Sequence, residues 1–311
     1  MAEGFGISLL PKHPRRARPT MTAWQPHLAF PNGLGSTCPL VVRGFPIAVC
    51  WAHKSANTTM LKWFLFQTGL LGQAEREYPN QMHFFWYAYS SAQSDFADQV
   101  FRALAGPVRK LTVKVVRDPA QRAVSSFLHF VRDPKKGFRE TWNQFLDWKR
   151  STDRDAAATA TFFDFLHFIR DTTAAGTLHD PHLQPQWNAA QDPCVMQHVP
   201  LEELGPRLHA LEQLCGLRES PLDVLSQSPH HSPPAGQRPW PADAADMPLD
   251  HTLLRRLGSP AAGVLLDATT RPLISEAFAE DYAAYDRFYT DFSIRRRGHG
   301  ATAHEARRRA A

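Results

Sequence analysis

A lysine and several hydroxyl-bearing residues follow a short apolar run and come before an amphipathic stretch. The apolar run covers residues 46–51 and the amphipathic stretch extends from Met60 to Leu71, so we expect a strand, a tight loop and a helix. The residues between them include Lys54, Ser55, Ala56, Asn57, Thr58 and Thr59. A helix N-terminus presents unpaired N–H groups and a partial positive charge, to which lysine and threonine add charge and donors. This pattern predicts a phosphate-binding loop.

The residue types in this loop allow two interpretations. The spacing GxxxxGK[ST], which binds nucleoside triphosphates, is absent, so a phosphate would be held in another way. Alternatively, the segment is an ordinary helix start in which Asn57 or Thr58 caps the helix and Lys54 is solvated. The loop by itself leaves both interpretations open.

A second strand–loop–helix pattern lies further along the chain. Residues 110–116 are rich in β-branched side chains, which predicts a strand. Asp118 is a favourable N-cap, and Pro119 suits the first position of a helix. On that helix, we expect Arg122 and Ser125 to lie on the polar face.

Arg117 leaves the C-terminal end of this predicted strand, and Ser125 lies about two helical turns beyond it. The guanidinium fork of arginine and the hydroxyl of serine suit a second, separate phosphate. Alternatively, Arg117 and Asp118 form a local ion pair at the surface, which would contribute little stability.

Together the two patterns resemble the sulfotransferases that use 3′-phosphoadenosine-5′-phosphosulfate (PAPS). In that family, a lysine-containing loop binds the 5′-phosphosulfate, and an Arg-Asp-Pro…Arg…Ser segment binds the 3′-phosphate. The resemblance covers roughly residues 44–205. It implies that residues 54–59 contact the phosphosulfate, and that Arg117 and Ser125 contact the 3′-phosphate.

Some residues of the first loop depart from the family pattern. His53 stands where proline is common, Ala56 where glycine is usual, and Asn57 where a small or hydroxyl residue is usual. Alanine tolerates fewer backbone conformations than glycine. The departures therefore bear mainly on whether the backbone of this loop follows the path that it takes in the family. A later segment, 180–186, is similar to the His-containing, Pro-Gln loop of carbohydrate-type members.

The resemblance also implies the fold. We expect a three-layer α/β/α domain over residues 44–294, with a mainly parallel sheet similar to that of P-loop nucleotide hydrolases, and the nucleotide at the C-terminal ends of the strands. A further strand is expected at 194–199. Residues 1–43 are predicted to be a tail and lead-in, 226–250 a Pro- and His-rich loop, and 295–311 a basic disordered tail.

Sulfuryl transfer requires a group that stabilises the leaving oxygen and a base that accepts the proton of the acceptor. Lys54 is the candidate for stabilising charge on the oxygen that leaves the sulfur. His83 is the first candidate for the base, because histidine titrates near neutrality and this one lies in an aromatic segment. Heparan-type relatives carry a glutamate two residues earlier, where this chain has Gln81. The alternatives for the base are Glu75, Glu77, His129 and His182.

The predicted activity is transfer of a sulfuryl group from PAPS to a hydroxyl, or less favourably an amine, of a carbohydrate or other small molecule. The product nucleotide is adenosine 3′,5′-bisphosphate, and no metal is required. One alternative is an ATP-dependent small-molecule kinase, disfavoured because the triphosphate loop and magnesium ligands are missing. Another is a non-catalytic nucleotide-binding module.

Composition limits the partners and the compartment. The formal net charge is +5, but the basic excess is carried by residues 1–18 and 295–311, so a general nucleic-acid surface is not indicated. No apolar run approaches the ~20 residues that span a bilayer. The cysteines are scattered, which favours a reducing cytoplasm, and we expect a soluble bacterial enzyme. Met21, after the first basic stretch, is a candidate for the true start.

Overall fold

The computed structural model describes most of the chain between residues 38 and 288. The described residues are 38–79, 81–132, 139–152, 159–227, 240–241, 243–285 and 288. The expected N-terminal tail up to residue 37, much of the Pro- and His-rich loop, and the basic tail at 295–311 therefore lie outside the described residues.

Three parallel strands form the sheet in the described part of the chain. They are β1 (Ile47–Cys50), β2 (Leu111–Val116) and β3 (Gln197–Pro200), in the order β1-β2-β3. Val49 lies opposite Val113, which fixes the register of the first pair. The predicted α/β fold with a parallel sheet is confirmed, and the C-terminal ends of β1 and β2 meet at one edge.

Among the described residues, four helices connect β1 to β2: α1 (Asn57–Gln67), α2 (Leu71–Glu77), α3 (Met82–Ser91) and α4 (Phe96–Leu104). The single amphipathic stretch predicted through Leu71 is divided between α1 and α2. The division occurs because Gly69 has a φ of +74°, a conformation that ends a helix. Trp63 and Trp86 are fully buried where these helices pack against the sheet.

The connection from β2 to β3 contains α5 (Pro119–Arg132), α6 (Arg139–Ser151) and α7 (Phe162–Ala174). The helix start predicted at Pro119 is confirmed, and Asp118 caps it by accepting a 2.7 Å hydrogen bond from the backbone of Gln121. The polar position predicted for Arg122 is wrong, since this side chain is fully buried. Phe145 packs in the aromatic core of these helices.

The strand predicted from residue 194 begins later. Asp192–Cys194 forms a 3-10 turn, and β3 starts only at Gln197. The reason is local: the buried carboxylate of Asp192 accepts a 2.8 Å hydrogen bond from the backbone of Asn188, which closes a turn before the strand.

The described residues after β3 are mainly helical. The elements are α8 (Leu204–Leu214), α9 (Leu222–Leu225), α10 (His251–Leu257), α11 (Ala262–Leu265) and α12 (Thr270–Ala277), with a further helical stretch at 279–285. Helix α12 packs on α5 and α7 and completes the hydrophobic core that contains Phe145. All four cysteines lie in the described part and are free thiols. None of the described helices combines the length and apolar character needed to cross a membrane.

Candidate active site

The lysine loop has an unusual backbone. Lys54 has φ +68° and Ala56 has φ +54°, so two residues with side chains occupy the left-handed region. Ala56 is the N-cap of α1, and its methyl side chain cannot make a capping hydrogen bond to the helix. The ordinary cap by Asn57 or Thr58 is therefore not formed, and the first-turn N–H groups are left for a ligand or solvent.

Arg117 joins the two sequence motifs. Its Nη1 donates a 3.0 Å hydrogen bond to the main-chain carbonyl of Lys54. The two residues follow adjacent parallel strands, so the sheet brings them to the same edge although they are 63 positions apart. Asp118, the partner in the alternative of a local surface pair, accepts the backbone N–H of Gln121 and so caps its own helix.

Gln186 ties both motifs together from a third segment. Its Oε1 accepts hydrogen bonds from the Ser55 hydroxyl and from the Arg117 backbone N–H, each at 3.0 Å. Its Nε2 donates to the Arg117 carbonyl at 2.6 Å, and the residue is only 2% exposed. The sequence did not indicate this role. The available signal was the place of Gln186 in the Pro-Gln segment.

A buried charged network supports Gln186. Lys114 on β2 donates to the Gln186 carbonyl at 2.6 Å and pairs with Asp192 at 2.5 Å. Tyr285 donates its hydroxyl to the same Asp192 at 2.5 Å. On the other side, the Asp281 carboxylate accepts the Gln186 backbone N–H at 3.1 Å. Because each of these groups is bonded, the network fixes the segment rigidly.

Arg122 also acts on the backbone of the site. Its Nε donates to the His53 carbonyl at 3.1 Å, and its Nη2 donates to the Gln184 carbonyl at 2.7 Å. Nη1 lies 3.9 Å from the Asp281 carboxylate. This explains why an arginine predicted to face solvent is buried: α5 packs under both loops, and the guanidinium pins them together.

The electrostatics of the lysine loop favour an anion. Burial, and after it the neighbouring positive charges of Arg117, Arg132 and Arg122, together lower the pKa of Lys54 to about 8. A bound anion would offset both effects, because an opposite charge favours the ammonium form. The site is therefore arranged for a negatively charged ligand.

The remaining predicted phosphate ligands lie on the two helices. Thr58 and Thr59 are half-buried in the first turn of α1, and Asn57 Nδ2 is 3.4 Å from His53 Nδ1. Ser125 is half-buried on α5, two turns after Arg117. The structure thus places residues 54–59 in one loop and helix start, with Arg117 against it.

Four histidines gather beside this loop, a grouping that spacing in the sequence did not predict. The ring centroids of His53 and His182 are 4.0 Å apart, and those of His129 and His182 are 5.1 Å apart. His83 stacks on Trp51 with a centroid distance of 5.0 Å and an angle of 9°. We call these four residues the histidine cluster.

The members of the histidine cluster differ in environment. Burial, with a smaller contribution from His182, lowers the pKa of His83 to about 4. His83 Nε2 is 3.4 Å from the Thr58 hydroxyl, and its buried Nδ1 has no hydrogen-bond partner among the described residues. Burial, and then His182, lower the pKa of His53 well below its usual range. His182 by contrast bonds through Nδ1 to Asp180 at 3.0 Å.

The glutamates considered as alternative bases lie on α2. Glu75 and Glu77 are both exposed, and Glu77 accepts a 2.9 Å hydrogen bond from Gln73 on its own helix. Within the described ranges, no group of three or more His, Cys, Asp or Glu side chains is placed to hold a metal ion.

Comparison with known proteins gives one match. A family model described as "Sulfotransferase family" matches residues 40–232, which is more than half of the chain and includes the lysine loop, Arg117, Gln186 and the histidine cluster. No curated protein matches the chain significantly. Nor does any solved structure.

Proposed function

The chain belongs to the sulfotransferase family, and we propose that its sulfuryl donor is PAPS and its acceptor a hydroxyl, or less favourably an amine, of a carbohydrate or other small molecule. The observation that carries the proposal is the hydrogen bond from Arg117 to the Lys54 carbonyl. It sets two cationic groups, from two motifs, at one edge of the sheet. Two separate phosphates on one nucleotide need such an arrangement.

The chemistry of the available groups fits PAPS. The Lys54 ammonium, the uncapped N–H groups at the start of α1 and the hydroxyls of Thr58 and Thr59 suit the 5′-phosphosulfate. Arg117 and Ser125 suit the 3′-phosphate, with the fork of arginine able to bond two phosphate oxygens. All of these groups are donors, as an anionic ligand requires.

The catalytic contribution of the chain follows from these positions. Lys54 would stabilise the charge that develops on the phosphate oxygen as its bond to sulfur breaks, and a well-placed donor of this kind contributes on the order of 3 kcal/mol. The network around Gln186 would hold the two phosphate sites at a fixed separation, which is how an enzyme orients a substrate before reaction. The acceptor must also lose a proton, for which His83 is the candidate from sequence.

Calorimetric titration with adenosine 3′,5′-bisphosphate, beside ADP and ATP and with or without magnesium, tests the proposal. Tight binding of the bisphosphate alone, independent of magnesium, is the expected result. Binding of ATP only with magnesium would instead support a kinase. Bisphosphate binding without transfer to any acceptor would leave a non-catalytic nucleotide-binding module.

A further inference from the structure

We propose that His182, oriented by Asp180, is the base that accepts the proton of the acceptor hydroxyl. The assignment deepens the proposed function and rests on it. His83, the first candidate from sequence, becomes the rival, and Asp180 is assigned as a positioning residue.

The first observation is how firmly Asp180 holds His182. The Asp180 Oδ1 atom accepts hydrogen bonds from the ring Nδ1 of His182 at 3.0 Å and from its backbone N–H at 2.9 Å. Asp180 Oδ2 accepts a 2.9 Å hydrogen bond from Thr141 on α6, so the carboxylate is itself fixed. An ionised carboxylate only accepts, so the ring proton lies on Nδ1 and the lone pair on Nε2.

The second observation is where the ring lies. The Ser126 hydroxyl on α5 donates to the His182 carbonyl at 2.8 Å, which anchors the loop beside the nucleotide motifs. The imidazole is 4.0 Å from that of His53, the residue directly before Lys54. The side chain of His182 is 30% exposed, whereas that of Asp180 is 10% exposed. His182 thus lies against the residue that precedes Lys54 and is partly exposed, and a base beside the donor site needs both features.

His83, the other candidate for the base, has no such orienting carboxylate among the described residues. His83 is stacked on Trp51, has the Thr58 hydroxyl at 3.4 Å from Nε2, and has no partner for its buried Nδ1 in the described part of the chain. Its surroundings lower its pKa to about 4, burial being the main cause, which makes it a weak base near neutrality.

The acceptor O–H bond breaks and its proton moves to Nε2 of His182, while the acceptor oxygen forms a bond to sulfur. The bond from sulfur to the 5′-phosphate oxygen breaks, and its electron pair leaves on the bisphosphate beside the Lys54 ammonium. The imidazolium then returns its proton to solvent. Nothing is oxidised or reduced.

Hydrolysis of PAPS tests the assignment without knowledge of the natural acceptor, because water then supplies the hydroxyl. We would measure release of labelled sulfate from [35S]PAPS with enzyme in excess. His182→Asn and His182→Gln should lower the rate by about 10²–10⁴-fold, the usual contribution of a general base. The exposed neighbour His179 provides the matched control, and His179→Asn should retain the parent rate.

Asp180→Asn tests whether Asp180 acts by orienting the His182 ring or only by stabilising the fold. We expect a smaller loss of rate than in the His182 variants, partial recovery of the rate in Asp180→Glu, which keeps the carboxylate, and a bisphosphate affinity within about threefold of the parent. A loss of folding would instead lower the melting temperature and abolish bisphosphate binding together.

Three results would overturn the assignment: a His182 variant with the parent rate, a parent rate no faster than buffer, or a large loss in His83→Asn with none in His182→Asn. A parent protein that fails to bind the bisphosphate would overturn the proposed function, and this assignment with it. The binding titration thus distinguishes the two failures.

Discussion

The guanidinium of Arg117 donates a 3.0 Å hydrogen bond to the main-chain carbonyl of Lys54. This contact crosses from the end of β2 to the end of β1 and occupies one nitrogen of the arginine fork. The guanidinium carries several more N–H donors. One residue can therefore brace the backbone of the lysine loop and still present donors to a phosphate.

Replacing Arg117 should show which of the two phosphates this residue binds. Arg117→Ala should weaken adenosine 3′,5′-bisphosphate binding by about 10–100-fold, since hydrogen bonds to charged groups contribute roughly 1.5–3 kcal/mol. Binding of adenosine 5′-monophosphate, which lacks the 3′-phosphate, should change less, and calorimetry on both ligands measures the difference. Arg102→Ala, at an exposed arginine of α4, is the control. Equal losses for both ligands would contradict the 3′-phosphate assignment.

Lys54 should give nucleotide binding a dependence on pH. Its pKa in the folded protein is lowered to about 8, chiefly by burial, so the ammonium that an anion requires is lost as the pH rises through that value. Bisphosphate affinity should fall above pH 8, by up to about tenfold per pH unit, because the bound anion favours the protonated lysine. Titrations from pH 7 to 10 measure this.

The slope should disappear in Lys54→Ala, which should also lower sulfuryl transfer by about 10²–10³-fold. Lys62→Ala is the matched control, because Lys62 lies on α1 and donates to the Gln227 carbonyl. If Lys54→Ala kept the pH dependence, another group would be responsible for it.

Gln186 should matter for affinity although its side chain bonds the protein itself. Gln186→Met keeps a similar volume but leaves the Arg117 backbone and the Ser55 hydroxyl without their partner. We expect a loss of about 2–3 kcal/mol in the free energy of unfolding and at least tenfold weaker bisphosphate binding. Gln186→Glu should reduce the stability and the bisphosphate affinity less, since a carboxylate can still accept two of the three hydrogen bonds. Denaturant unfolding and calorimetry test this, with exposed Gln213→Met as the control.

Ala56 should be a strained position. At φ +54° a side chain costs roughly 1 kcal/mol, so Ala56→Gly should raise the free energy of unfolding by about 0.5–1 kcal/mol. At Ala97, which is exposed on α4, the same change should lower it by about the same amount, because glycine disfavours an ordinary helix. A destabilising effect at both positions would mean that the left-handed conformation is not populated in solution.

The sequence was sufficient for the features that depend on neighbours in the chain. Strand, loop and helix followed one another around Lys54 and around Arg117 because apolar runs, the Asp118 cap and Pro119 act within a few residues. The parallel sheet and the meeting of both motifs at one edge then followed from the general behaviour of such units.

Only the tertiary structure determined how the site is held. The burial of Arg122, the bridging by Gln186 and the histidine cluster all come from contacts between residues more than fifty positions apart. Helical spacing alone predicts Arg122 on the polar face of α5. The two loops that cover this side chain are distant in sequence, so the spacing gives no sign of them. A polar side chain can be buried when distant backbone carbonyls satisfy it, and those carbonyls are brought into reach only by folding.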